Sequence, residues 1–193
     1  MNVLIGPNNS GKTTIIKGLQ LLFDKKSSKR LKINDFNKNI TLEKLKQTPP
    51  KITISAKLKE SENEGEYSPN LVTIASWFTK LEKPFEAQIT YEFFLPEKHL
   101  ENYKKEMLEI DFKDINEYWN FIETNYLMKY IHKTYVGHPE LKNTIDYESL
   151  NKFDFQFLSA IRDVTQDLAS GKKNLLKEIL NFFLDYDIKT SEE

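Results

Sequence analysis

The stretch Gly6-Pro7-Asn8-Asn9-Ser10-Gly11-Lys12-Thr13 fits G-x-x-x-x-G-K-[ST] and constrains this chain more than any other feature. Gly6 and Gly11 allow the backbone to curl until consecutive N–H groups converge on an anion. Lys12 adds a flexible point charge for β- and γ-phosphates, and the Thr13 hydroxyl is placed to ligate Mg²⁺. The motif needs a strand before it and a helix after it. Asn2-Val3-Leu4-Ile5 is a short apolar run suited to a buried strand. After it, Ile15, Ile16, Leu19, Leu22 and Phe23 recur at helical spacing on one face. The start of that helix would turn its dipole and unpaired N–H groups toward the same phosphates. The sequence therefore predicts a nucleotide-phosphate site with Lys12 and Thr13 at its centre.

Composition limits what surrounds it. The 193 residues suffice for one domain, or for a domain and a subdomain, and 39% hydrophobic with 12% aromatic residues predicts a folded core. Charged residues reach 30%, yet the net charge is −1, so nucleic-acid or membrane binding would need a local patch. Cysteine is absent, which excludes disulfides, thiolate metal sites and a cysteine nucleophile. No apolar run approaches the roughly 20 residues of a membrane span, and no secretory leader is visible, so the expected location is cytoplasmic with no membrane partner. The chain starts inside the strand ahead of the loop. Either Met1 is a truncated start or the fold lacks an edge.

Along the chain, residues 1–24 read as strand, loop and helix. Residues 24–32 hold five basic residues in nine. They are read chiefly as a solvated helix end that complements the dipole, with phosphate-backbone contact as the other use. Residues 32–50 connect, with a short helix around Leu42 to Leu45. Residues 51–95 form a β-subdomain. Ile52, Ile54, Ala56 and Leu58 alternate with polar residues, as do Phe85, Ala87, Ile89, Tyr91, Phe93 and Leu95. Between these strands, Glu60 to Tyr67 reads as a loop. Ser68-Pro69 then starts a helix carrying Leu71, Ile74, Ala75, Phe78 and Leu81. Residues 96–152 are expected to be a helical insertion, helical to about Tyr135. One stripe holds Leu100, Tyr103, Met107 and Leu108; the other holds Ile115, Tyr118, Trp119, Ile122, Tyr126 and Tyr130. The aromatic row is assigned to the core rather than to base stacking. Val136 to Pro139 marks a loop. Residues 153–193 give a strand at Phe153 to Leu158 and a last helix from Lys172 to about Tyr186.

Hydrolysis needs an acid at the end of a buried strand as well as a phosphate cradle. The nearest matches, Asp185 and Asp187 after Phe182-Phe183-Leu184, and Asp111 after Met107-Leu108-Glu109-Ile110, both lie in helical text. No catalytic residue is assigned. His99, His132 and His138 lack metal-ligand spacing.

The run Gly6 to Thr14, followed by Ile15-Ile16-Lys17-Gly18-Leu19, resembles the ABC-type ATPase heads of SMC-like proteins. Within them it is most similar to the overcoming-lysogenization-defect (OLD) family of ATP-dependent endonucleases, which includes the large subunits of Gabija-type anti-phage systems. Asn34-Asp35-Phe36 and Phe157-Leu158-Ser159-Ala160-Ile161-Arg162-Asp163-Val164, with Asp167-Leu168 and Gly171-Lys172, also resemble segments of that family. The resemblance implies an α/β P-loop NTPase, an incomplete ABC-type ATPase head with antiparallel strands and a helical insertion. It implies binding of ATP and Mg²⁺ by Gly6, Pro7, Asn8, Asn9, Ser10, Gly11, Lys12, Thr13 and Thr14. It further implies dimerisation, as a homodimer or with a different partner, and action on DNA through a nuclease domain in the full-length protein. The family's Walker B acids, signature motif, switch histidine and Toprim acids have no match, so this chain alone is expected to be inactive. Gln88 and Gln156 are Q-loop candidates, each more readily an ordinary strand residue. The alternative function is a non-hydrolysing ATP-binding and dimerisation module completed by a partner chain. A nucleotide kinase is disfavoured, because its lid needs several arginines and only Arg30 and Arg162 are present.

Overall fold

In the computed structural model, β3 (Glu86–Phe94) is the strand around which the rest is laid. The structure describes residues 5–7, 10–60, 74–145, 147–151 and 153. Strand β1 (Ile52–Lys59) pairs antiparallel along one side of β3, from Ile52 opposite Phe93 to Lys59 opposite Glu86. The other side is shared. Strand β4 (Ile131–Val136) covers Ile89 to Phe94, and the short β2 (Phe78–Lys80) covers Glu86 and Ala87. A two-residue β5 (Asn143–Thr144) pairs with the end of β4, which makes five antiparallel strands among the described residues.

The alternation expected of β1 is observed, and its antiparallel pairing follows. Strand β3 departs from a half-buried pattern, because Gln88 and Thr90 on its polar side are buried too. They satisfy each other there. Gln88 donates to Thr90 Oγ1 at 3.1 Å, and the Thr90 and Ser55 hydroxyls are 2.9 Å apart. A central strand flanked on both sides buries polar side chains that an edge strand would leave wet, and it keeps them only when they are bonded.

Helices cover the apolar face. Helix α1 (Lys12–Phe23) packs on β1 and β3, with Gly18 close enough that an added Cβ would lie 3.5 Å from Ile54. The connecting segment 32–50 contributes more than a connection. Ile33, Phe36 and, from α2 (Leu42–Gln47), Leu45 are buried core residues. Phe36 sits among Phe93, Trp119 and Tyr130 with ring centroids 5.5–5.9 Å apart. Helices α3 (Leu100–Glu109) and α4 (Ile115–Asn125) bring a tyrosine cluster. The Tyr103 and Tyr118 hydroxyls are 2.7 Å apart, and Tyr103 donates to the Leu45 carbonyl. Tyr130 donates to the Pro50 carbonyl at 2.9 Å. Asp114 caps α4, accepting from the Asn116 and Glu117 N–H groups at 2.7 and 2.9 Å.

Several expectations are corrected. The helix foreseen through Phe78 and Leu81 is instead a 3₁₀ turn, Ala75–Trp77, followed by β2; residues 61–73, with its expected start, lie outside the described residues. Pairing of Phe78 with Ala87 and complete burial of Trp77 override a spacing that also fits a helix. The helical reading to Tyr135 fails beyond Asn125. Tyr130 is extended, and 131–136 is a strand, so the insertion at 96–152 carries part of the sheet. The i, i+4 repeat from Tyr126 to Tyr130 hid this, since a turn and a helix can bury both rings on one side. Leu108 is 88% exposed and leaves the stripe formed by Tyr103 and Met107. The aromatic row Tyr118, Trp119, Tyr126 and Tyr130 is core, as expected. Of the strand at Phe153 to Leu158, only Phe153 is described; the last helix, Gln156, Arg162, Asp185 and Asp187 also lie outside the described residues. A short α5 (Tyr147–Asn151) precedes Phe153. Among the described residues, no helix is long and apolar enough to cross a membrane.

Candidate functional site

The loop ahead of α1 is built from two glycines that are needed for different reasons. Gly11 is the N-cap of α1 at φ 83°, ψ 3°, and nothing lies within 4 Å of where a Cβ would be. Its requirement is conformational: the left-handed region is open to glycine and penalised for L side chains. Gly6 is needed for space, because a Cβ there would stand 2.8 Å from Ser10 Oγ. Asn8 and Asn9 lie outside the described residues.

Lys12, the first residue of α1, folds back over this loop. Its ammonium donates to the Gly6 carbonyl at 2.6 Å, the Pro7 carbonyl at 2.7 Å and Ser10 Oγ at 3.1 Å. The Ser10 N–H closes the turn onto the Pro7 carbonyl at 3.3 Å. Among the described residues no side chain caps α1, and its first turn holds no acidic residue. The first-turn N–H groups of Lys12, Thr13 and Thr14 therefore have no partner within the helix and point out of its positive end. Thr13 and Thr14 are exposed on that turn. The Lys12 ammonium, the uncapped first turn of α1 and the exposed Thr13 thus belong to the same end of the helix, and these are residue types that a phosphate with bound Mg²⁺ uses. Mg²⁺ takes few protein ligands alongside phosphate oxygens, so one threonine hydroxyl suits it. Among the described residues, no group of three or more His, Cys, Asp or Glu gathers into a metal site.

Ile5 is 91% exposed and carries no strand assignment, so burial of the preceding strand is not seen at its one described residue. Ile15 is half exposed, whereas Leu22 and Phe23 are buried. The apolar stripe of α1 is covered only toward its C-terminal end.

Other residues singled out in the sequence have structural employment. Lys29 donates to the Gln20 and Leu21 carbonyls at 3.1 and 2.6 Å, so it complements the helix end as expected. Burial lowers its pKa, and Asp24 offsets part of that. The Gln88 carbonyl accepts from the Gly137 N–H at 2.9 Å, and its side chain bonds Thr90, as suits an ordinary strand residue. Asp35 accepts from the Lys32 N–H at 2.7 Å, and Phe36 is core. Sequence patterns gave no sign of a polar cleft of about 260 Å³ between segment 33–38 and α4. There the Lys38 ammonium sits 3.7 Å over the Trp119 ring, beside Asn116 and Glu123.

Comparison with known proteins matches the chain to a family. The family described as "AAA domain, putative AbiEii toxin, Type IV TA system" matches residues 1–136, a span that holds the loop, the sheet as far as β4 and the helices between. No curated protein and no solved structure matches the chain.

Proposed function

Since this chain belongs to the AAA-domain family matched over residues 1–136, and so carries a P-loop ATPase-like domain of α/β type, we propose that it binds ATP with Mg²⁺ at the loop Gly6 to Thr14. The single observation that supports the site assignment is the Lys12 ammonium held over the loop at the uncapped start of α1, where Thr13 is exposed. Gly6, Pro7, Asn8, Asn9, Ser10 and Gly11 supply the backbone wall. Lys12 neutralises the β- and γ-phosphates, Thr13 ligates Mg²⁺, and Thr14 adds a first-turn N–H.

Within this reading, the domain is the ATP-binding head of an OLD-like, DNA-acting nuclease of anti-phage or DNA-processing type. Hydrolysis arises by completion, because no apolar strand in the sequence ends in the acid that would hold Mg²⁺ opposite Thr13. A partner chain that carries that acid and the signature segment would supply them around shared ATP. The alternative is an ATP-binding and dimerisation module that does not itself hydrolyse ATP and needs a partner chain carrying the Walker B and signature motifs. The two separate on turnover by the assembled complex, which only the first reading requires.

The test of the site is Lys12→Ala. We expect MgATP affinity to fall by about two orders of magnitude, the scale of losing a charge-assisted contact. Thermal stability should stay unchanged, since the Lys12 ammonium, among the described residues, bonds to Gly6, Pro7 and Ser10 of the loop. Unchanged affinity would remove the assignment.

A further inference from the structure

The ammonium of Lys12 has three N–H groups, and the loop provides an acceptor for each: Gly6 O, Pro7 O and Ser10 Oγ. A phosphate reaching the loop therefore meets a lysine whose donors are already engaged, and it must displace one acceptor. The three are not equivalent. The two carbonyls are the closer partners, at 2.6 and 2.7 Å, and both are main-chain groups: Pro7 O closes the turn with Ser10 N–H, and Gly6 O lies in the peptide just before it. Moving either would deform the loop. The serine contact is longest, at 3.1 Å, and its oxygen sits on a side chain that changes rotamer without backbone movement. The loop is built around that rotamer, since the missing Cβ of Gly6 is what leaves room for Ser10 Oγ.

We propose that Ser10 is the exchangeable partner of Lys12: its hydroxyl holds the third N–H and yields it to the incoming phosphate, so that Ser10 competes with nucleotide and lowers its affinity. The inference rests on the nucleotide-binding reading above and adds to it a positioning residue with a defined sign. A serine that helped bind phosphate directly would act in the opposite direction.

The experiment measures the Kd for MgATP by calorimetry on the full chain and its variants. Ser10→Ala should tighten binding about threefold to tenfold, the range for one hydrogen bond from a charged donor at a solvent-accessible site. Ser10→Thr, which restores a hydroxyl, should return the Kd to within about twofold of the parent. Ser10→Cys, close in size but a weak acceptor, should shift the same way as alanine. On a Lys12→Ala background, Ser10→Ala should bring no gain, because the competition requires the ammonium. Weaker or unchanged binding by Ser10→Ala overturns the proposal, as does a gain that survives without Lys12. The arms also separate the two levels. If Lys12→Ala alone leaves the Kd unchanged, the site reading fails; if it abolishes binding while Ser10→Ala does not tighten it, only the role of Ser10 fails.

Discussion

The two ends of α1 belong to differently made regions. At its N-terminus, the loop is held by contacts between residues two to six apart: Lys12 to Ser10, Pro7 and Gly6. At its C-terminus, Leu22 and Phe23 enter a core joined over long separations, such as Tyr103 to Leu45 across 58 residues and Tyr130 to Pro50 across 80. The loop is exposed and specified by backbone conformation; the core is buried and specified by packing. Damage to the first should cost ligand affinity and leave the fold, and damage to the second should do the reverse.

The largest test of that division is at Trp77, fully buried and stacked on Phe153 with centroids 5.1 Å apart and planes 8° from parallel. Trp77→Ala should destabilise by about 3–5 kcal/mol in urea unfolding, as for truncation of a core aromatic. Trp77→Phe should cost much less, because it keeps a ring against Phe153 and removes an indole N–H that has no partner among the described residues. A small loss for the alanine variant would mean that the core is not organised here.

A sharper comparison uses two glycines with the same backbone and different surroundings. Gly137 (φ 76°) is buried where β4 meets β2, and a Cβ would lie 3.5 Å from the Ser76 carbonyl; Gly11 (φ 83°) has open space. Alanine carries a penalty of about 1–2 kcal/mol at either, from left-handed backbone alone. At Gly137 it should appear as lower global stability. At Gly11 the loop should relax instead, which leaves the melting temperature in place and weakens MgATP binding.

Next comes the tyrosine cluster. Burial pushes the Tyr103 phenol up to about 12 and raises Tyr118 and Tyr130 as well. These groups keep their protons in the folded state beyond the unfolded value near 10. Their stabilisation is therefore complete below pH 10 and is lost progressively above it, that of Tyr103 as pH rises from 10 through about 12. An alkaline unfolding transition in that window should follow. Tyr103→Phe should weaken its onset and cost about 1–2 kcal/mol at neutral pH, because the Leu45 carbonyl loses its donor.

The smallest effect is expected at His132, which lies against the Tyr91 ring. Desolvation and the Lys29 charge lower its pKa. Neutral His132 therefore supports the fold above about pH 6.5, and that support fades as pH falls below it. His132→Gln should flatten a slight acid-side loss of stability; an unaltered pH profile would show that His132 takes no part.

The sequence by itself located the loop. The roles proposed for Gly6, Gly11, Lys12 and Thr13 rest on local backbone geometry and charge, which travel with the residue types, so a four-position pattern sufficed to mark them. It also gave β1 and β3, whose period-two alternation has one reading, and α2 through a few local positions. It misread Phe78 and the segment 131–136, because both satisfy helical spacing in isolation and become strands only when Ala87 and the far side of β3 offer hydrogen-bond partners. Burial of Gln88 and Thr90, the core role of Phe36 and exposure of Leu108 were likewise settled by neighbours distant in sequence. So was the unequal burial of α1: its pattern placed Ile15 and Phe23 on one face, and only the tertiary structure decided that, among the described residues, Phe23 is buried in the core while Ile15 stays half exposed.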